Sequence, residues 1–447
     1  MSDKKTVGLT TSLNSRQLIF FLLVFGVLVN PVLAADAGSA TIDSGDTAWV
    51  LVSTTLVLLM MLPALALFYG GLVRTKNVLS VLMHCLAMAA LLSVIWVVFG
   101  YSLAFDKGNP FIGGLSKVLL GGVARDAIYP ETKIPESLFC AFHMTFAIIT
   151  PALVIGAFVE RMKFVAVMLF GALWLIVVYV PICHMQWGGG WLQQKGVMDF
   201  AGGIVVHITG GVAALAVCIK IGKRKGYPDA SMIPHNLTYS VIGACMLWVG
   251  WFGFNGGSAL AANGEAAMTL LVTHISAAVA TLTWMLIEWK TNGKPSVLGA
   301  ATGAIAGLAA VTPAAGYAGP AGGLVIGLIA GALCFFASTT VKRYFAYDDS
   351  LDVFGVHGVG GIIGIVMVGV VASESWGGVG FAAGAGGGIM DQLKVQLLGG
   401  VVAVVYTLVA SIVVLWLIDN VVGLRVSYEQ EELGLDLAEH AETGYNL

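Results

Sequence analysis

The chain has 447 residues, 58% of them hydrophobic and 11% charged, with a mean hydropathy of +0.90; that composition excludes a soluble enzyme. Lys plus Arg total 22 against 25 Asp plus Glu, giving a net charge of −3 and a pI near 6.2. This gives no basic surface of the kind nucleic-acid binding needs. The charges fall in short clusters between apolar runs of roughly 20 residues, the layout of a polytopic α-helical membrane protein.

Residues 1–35 carry Lys4, Lys5 and Arg16, then the apolar run Leu18–Val29, an Asn30-Pro31 break and the small-residue site Val32-Leu33-Ala34. The pattern predicts a secretory signal peptide cut after Ala34 or Ala35, with an uncleaved anchor helix as the alternative. Eleven spans follow, near 47–72, 78–104, 137–159, 164–184, 199–221, 238–260, 266–289, 296–313, 319–341, 353–373 and 392–418. Loops on one side hold thirteen Lys and Arg, those on the other six. The asymmetry predicts an outside N-terminus and a cytoplasmic C-terminus. Residues 36–419 are thus the expected transmembrane domain. Residues 420–447 are too polar to span: from Asp419 onward the chain has seven acids against Arg425.

Two segments are expected to interrupt the helical pattern, His184–Trp191 with its three glycines and Trp251–Ser258. Gly299, Gly303 and Gly307, four apart, predict close helix contact. The six cysteines each stand alone in apolar runs and read as buried filler, with no metal spacing.

Spans five and ten share a pattern. Asp199, His207 and the pair Gly210-Gly211 correspond to Asp352, His357 and Gly360-Gly361. Glycines three and four residues after a histidine lie on its helical face and leave a groove there. Five spans separate the two helices, so they enter from opposite sides, as in an inverted repeat whose halves meet at the midplane. An ionisable residue at that depth is a functional candidate. Neutral imidazoles sharing a hydrogen bond would reject alkali cations and pass a small neutral base. Two histidines satisfying core carbonyls are the plainer alternative. His84 and His274, without matched partners, read as structural. Asp199 stands where either an N-cap or a cation-attracting carboxylate would.

Phe68-Tyr-Gly-Gly-Leu-Val-Arg74, the Asp199–His207 stretch, Pro234–Leu237, Gly250–Asn255 and Asp352–Gly358, in this order, resemble the Amt/Rh ammonium transporter family, in its bacterial Amt branch. The resemblance covers almost all of the chain after residue 35. It implies an all-α membrane protein of eleven transmembrane helices, a five-plus-five inverted repeat plus an extra C-terminal helix. It also implies a homotrimer in a bacterial inner membrane with a pore in each subunit. Trp187, Phe146 and Ser258 match an outer recruitment site for ammonium, supported by Asp199; ring faces there offer a compact cation about 0.5–2 kcal/mol. Phe142 and Phe254 match a stacked phenyl pair closing the pore, and His207 and His357 match twin pore histidines. Captured ammonium would lose a proton near the phenyl pair and pass as ammonia; family members differ over whether the proton follows. Methylammonium is a plausible second substrate, and no cofactor, metal or catalytic group is implied.

Asp436, His440 and Tyr445 match a cytoplasmic regulatory tail that helps bind a PII-type nitrogen-signalling protein. Ala441 departs from the usual Gly. His143 stands where many relatives have Gln and is expected to line the outer vestibule, where its protonated form would repel the cation. The alternatives are an ammonium sensor of the same fold acting through its tail and a membrane haem protein ligated by His207 and His357. An intramembrane protease is weaker, since no HExxH occurs and Ser258 has no evident base.

Overall fold

The computed structural model describes residues 41–445; the expected signal peptide lies outside them. Ten helices in this range are long and apolar enough to cross a bilayer: α1 (Ser44–Leu72), α2 (Thr75–Phe105), α3 (Glu136–Phe158), α4 (Phe164–Gln194), α5 (Gly203–Ile221), α6 (Leu237–Gly257), α7 (Gly264–Asn292), α9 (Pro320–Phe345), α10 (Phe354–Val371) and α11 (Ile389–Val421). Between α7 and α9 lies α8 (Val297–Val311), at 15 residues the shortest apolar helix. At 1.5 Å per residue it spans about 22 Å, less than a hydrocarbon core of about 30 Å. The chain is therefore an all-helical multi-pass membrane protein, two five-helix halves followed by α11.

Burial sorts the helices. α3 and α5 are enclosed almost throughout, while α7, α9 and α11 keep an outward apolar face. On α11 that face includes Val401, Val405, Val409, Ile412 and Trp416, side chains suited to an apolar surrounding. α8 stops short because Pro313 follows it, and the Pro313 ring lies against Gly203 at the start of α5. Gly303 and Gly307 of α8 face the backbone of α7 at Ala280 and Ser276, the close contact their spacing predicts.

Two expectations need correction. The segment 188–190 does unwind α4 between Val180–Trp187 and a last turn at Trp191–Gln194. The Trp251–Ser258 segment does not break: α6 runs helical to Gly257. Gly250, Gly253 and Gly257 form one stripe that lets α1 approach at Leu56 and Ser53, so packing rather than unwinding accounts for them. Cys245 is exposed on α6, unlike the five buried cysteines.

The tail forms two short helices, α12 (Tyr428–Leu433) and α13 (Leu435–His440), docked on one end of the bundle. Its acids serve as caps. The Asp436 carboxylate accepts from the Leu79 and Ser80 amides at 3.1 and 2.8 Å, in the first turns of α2. Glu439 accepts from the Phe164 amide at 2.9 Å, at the start of α4. Each supplies negative charge to the positive end of a helix. Glu431 accepts from the Lys225 amide at 2.7 Å and pairs with Arg425, Lys76 donates to the Glu431 and Glu432 carbonyls, and Tyr445 meets His235 at 3.0 Å. His440 packs edge-on against Phe164 and near His84, and burial holds its pKa below the ordinary value despite Glu439 and Asp436.

Ala441 ends α13 at φ 56°, in the left-handed region. A side chain there costs about 1–2 kcal/mol that glycine avoids. Ala441→Gly is therefore expected to slow amide exchange across residues 428–440 by about fivefold or more, read by hydrogen exchange and mass spectrometry; unchanged exchange would show that the strain is relieved elsewhere.

Candidate functional site

The histidine-bearing segments of α5 and α10 are not ordinary α-helix. Residues Gly203–Ile208 and Phe354–Gly358 form wide i→i+5 turns, with the His207 amide donating to the Gly202 carbonyl at 3.0 Å. Wide turns leave extra amides at the segment start, and an acid caps each. The Asp199 carboxylate accepts from the Gly202, Gly203, Ile204 and Val205 amides at 3.0, 2.6, 2.8 and 3.2 Å. Gly202 makes the turn at φ 116°. In α10 the capping acid is Asp349, whose Oδ2 accepts from the Phe354 amide at 2.7 Å while Oδ1 is unpartnered. Both acids stand eight residues before their histidine. The expected match of Asp199 with Asp352 is thus corrected: Asp352 turns its carboxylate to Lys342 at 2.8 Å. Burial pushes both capping carboxyls up to about 6, opposed by amides at Asp199 and by Lys342 at Asp349.

The grooves beside the histidines are filled by backbone of the opposite helix. A Cβ on Gly211 would lie 2.2 Å from the Gly358 nitrogen, and one on Gly361 would lie 2.9 Å from the Gly203 carbonyl and 3.0 Å from the His207 Cβ. This approach brings His207 Nδ1 and His357 Nδ1 to 3.2 Å, with rings stacked at 22°. Two nitrogens at hydrogen-bond distance leave no place for iron between them, which argues against the haem alternative.

The proton pattern of the pair follows from a third residue. The Thr312 hydroxyl donates to the Leu308 carbonyl at 2.7 Å and accepts from Trp251 Nε1 at 2.9 Å. With its proton committed, Thr312 can only accept from His207 Nε2, 3.3 Å away. This assigns the His207 proton to Nε2, its lone pair to Nδ1, and the shared proton to His357 Nδ1. The remaining lone pair, on His357 Nε2, is uncommitted.

Three cavities lie in order along the bundle. One of about 250 Å³, beside the loop before α3, is lined by Tyr129, Glu131, His143, Phe146, Trp187 and Ser258 among others. One of about 350 Å³, on the tail side, reaches Arg224, Asp352 and His357. Between them a chamber of about 20 Å³, room for about one water, is lined by His207, His357, Trp251, Phe254 and aliphatic side chains.

Rings separate the loop-side cavity from the chamber. Phe146 lies on Phe254 at 4.2 Å between centroids and 32°, and Phe142 meets Phe146 edge-on at 5.0 Å. The stacked pair is therefore Phe146 with Phe254; Phe142 does not stack on Phe254 as expected and instead lies close to Gly257. Trp187 stands edge-on to Phe146 at 5.9 Å, its Nε1 donating to the Asp199 carbonyl at 2.9 Å. Asp199 thus fixes Trp187 through its backbone and α5 through its side chain. Ser258 donates its hydroxyl to the Phe254 carbonyl at 2.8 Å. His143 joins this ring cluster, while Asp436, His440 and Tyr445 lie apart, in the tail contacts. Reasoning from residues missed Thr312, Asp349, Tyr129 and Glu131. Only Asp349 had a readable signal, its eight-residue spacing.

The sequence profile of the Ammonium Transporter Family matches residues 48–445. An ammonium transporter of Bacillus subtilis is 46% identical over 401 residues, 90% of this chain and 98% of that protein. Among solved structures, Candida albicans Mep2 has a TM-score of 0.81 at 34% identity, covering 87% of this chain and 88% of that one. A structure described as a sensor Amt protein has a TM-score of 0.82 at 30% identity, covering 89% of this chain and 98% of that one.

Thr312 yields a direct test. Thr312→Val keeps the shape, removes the acceptor of His207 Nε2 and is expected to lower transport about fivefold or more with folding intact, from the loss of about 1 kcal/mol. Thr312→Ser should recover it; a Val variant that transports normally would sever Thr312 from the histidine pair.

Proposed function

The chain belongs to the ammonium transporter family, with ammonium as its substrate, and from that premise we propose how it moves the ion. The loop-side vestibule faces the periplasm and recruits ammonium against Phe146, Trp187 and Ser258. The Ser258 hydroxyl donates its hydrogen bond to the Phe254 carbonyl, so its oxygen is left as an acceptor for an ammonium N–H. Ring faces supply the rest of the attraction and replace part of the hydration shell. Asp199 acts as a support, holding Trp187 and the start of α5 in place.

Beyond the Phe146–Phe254 pair the path is too small and too apolar for a hydrated ion. A cation entering it would lose its water without a replacement ligand, at heavy cost. Ammonia carries no such cost and has N–H bonds to offer the uncommitted lone pair of His357. We therefore read the pair as a filter: ammonium leaves its proton at the vestibule, and ammonia passes His207 and His357 to the tail-side cavity. The observation that carries this reading is the 20 Å³ chamber, apolar but for two hydrogen-bonded imidazoles, between two much larger cavities.

Around that pore we place a homotrimer in a bacterial inner membrane. Residues 1–35 serve as a cleaved signal peptide, the mature N-terminus is periplasmic, and the tail from residue 420 is cytoplasmic and open to a PII-type partner. Methylammonium fits the same recruitment chemistry. A second reading has one support, the similarity to a structure described as a sensor: a sensor would bind ammonium at the same vestibule and act through the tail.

Reconstituted liposomes separate these readings. Wild-type protein is expected to take up ammonium at least tenfold faster than protein-free liposomes, whereas a sensor would leave uptake at the protein-free level. Trp187→Ala should raise the half-saturating ammonium concentration about fivefold or more, the loss of roughly 1 kcal/mol of ring attraction. Charge movement recorded on a solid-supported membrane then reports the proton: a sustained current in wild type means that it follows, and none means that it returns.

A further inference from the structure

We propose that His143 is a ligand of the recruited ammonium: its Nε2 lone pair accepts one N–H of the cation. The proposal rests on the transport reading above and adds a residue to its recruitment step.

The tautomer is set by geometry. His143 Nδ1 lies 3.0 Å from the Phe139 carbonyl, one turn back on α3. A carbonyl only accepts, so Nδ1 carries hydrogen in either protonation state of the ring. The neutral ring therefore has its lone pair on Nε2. No bond to Nε2 forms among the described residues, nor is it one of the sealed, partnerless polar atoms, and the residue lines the loop-side vestibule with Phe146, Trp187 and Ser258. Packing fixes the ring. Phe139 lies at 4.1 Å, Phe105 at 4.7 Å and Phe142 at 5.5 Å between centroids, with Trp187 at 5.8 Å. An imidazole held this way presents a directional acceptor without moving.

Its partner chemistry follows from the rest of the wall. Trp187 Nε1 is spent on Asp199, the Ser258 proton on Phe254 and the His143 Nδ1 proton on Phe139. What these three residues leave for a guest is ring faces and lone pairs. That set suits a small cation that is itself a hydrogen donor. Alkali ions, in contrast, need several oxygen ligands, and one imidazole nitrogen is a poor substitute.

The carboxylates near the ring are already engaged, except that of Glu131, which is exposed and has no partner among the described residues. Glu136, two turns away on α3, is held by Tyr101 and Lys117. Asp199, beyond Trp187, is turned to its four amides. From the loop before α3, Tyr129 and Glu131 line the same cavity, and Asp106, next to Phe105 at the end of α2, accepts from the Lys107 and Ser116 amides. His143 Nε2 is thus an uncommitted acceptor that α3 presents to the vestibule.

The test measures half-saturating ammonium in liposomes at an external pH of about 7.5, where ammonium stays protonated. His143→Phe keeps a ring without an acceptor and should raise it about fivefold or more. His143→Gln returns an acceptor at the same position, so it should recover most of that loss. His143→Phe saturating like wild type, or His143→Gln saturating no better than His143→Phe, would overturn the proposal. Wild-type uptake no faster than protein-free liposomes would instead overturn the transport reading on which it rests.

Discussion

One hydrogen bond, 3.2 Å between His207 and His357, sets the terms for the centre of this protein. Two imidazoles on separate helices reach each other only if the helix axes come closer than ordinary side chains permit. The backbones at Gly211 with Gly358 and at Gly361 with Gly203 meet the requirement, at distances where one extra carbon would collide. Close approach also demands a reshaped backbone, and the wide turns at 203–208 and 354–358 supply it. Wide turns expose amides, which Asp199 and Asp349 satisfy. Thr312, at the end of a helix that stops within the bundle, then decides where the proton of His207 resides. Each feature answers a cost created by the one before.

The proposed recruitment site draws on the same economy. Three side chains of the loop-side vestibule have hydrogens committed to the protein. Trp187, Ser258 and His143 each donate a hydrogen bond to a backbone carbonyl oxygen. Donor-rich guests meet acceptors and ring faces, while the small chamber beyond admits nothing that must keep its water. In the mechanism we propose, recruitment of a cation and passage of a neutral molecule fall to adjacent surfaces of opposite character.

Much of this was legible in the residues. Ten of the eleven spans lay within a few residues of their observed ends, because long apolar runs bounded by charge admit few alternatives in a membrane; α4 runs ten residues past its expected end at 184, to Gln194. The histidines and their glycine pairs were legible for the same reason, since three- and four-residue offsets share a helical face. What was not legible depended on backbone shape. Asp352 seemed the partner of Asp199 because an ordinary helix was assumed; wide turns move the cap back to Asp349. Phe142 and Phe146 lie one turn apart on α3, and only the approach of α6 decides which of them Phe254 meets. The glycines of Trp251–Ser258 looked like a break because a glycine that admits α1 and one that ends a helix read alike in sequence. Thr312 gave no signal, since its partners lie 61 and 105 residues away in the chain.

The tail's carboxylates act less as a charged surface than as missing pieces of other helices. Asp436 and Glu439 complete the first turns of α2 and α4, so lifting the tail strips the Leu79, Ser80 and Phe164 amides of their acceptors. Two positive helix ends would then stand open on one face, a few residues from Lys76 and Lys163. A partner that held the tail away while leaving those amides bare would have to supply the lost energy elsewhere. One offering its own carboxylates could take over the same hydrogen bonds, and the exchange would cost the bundle little.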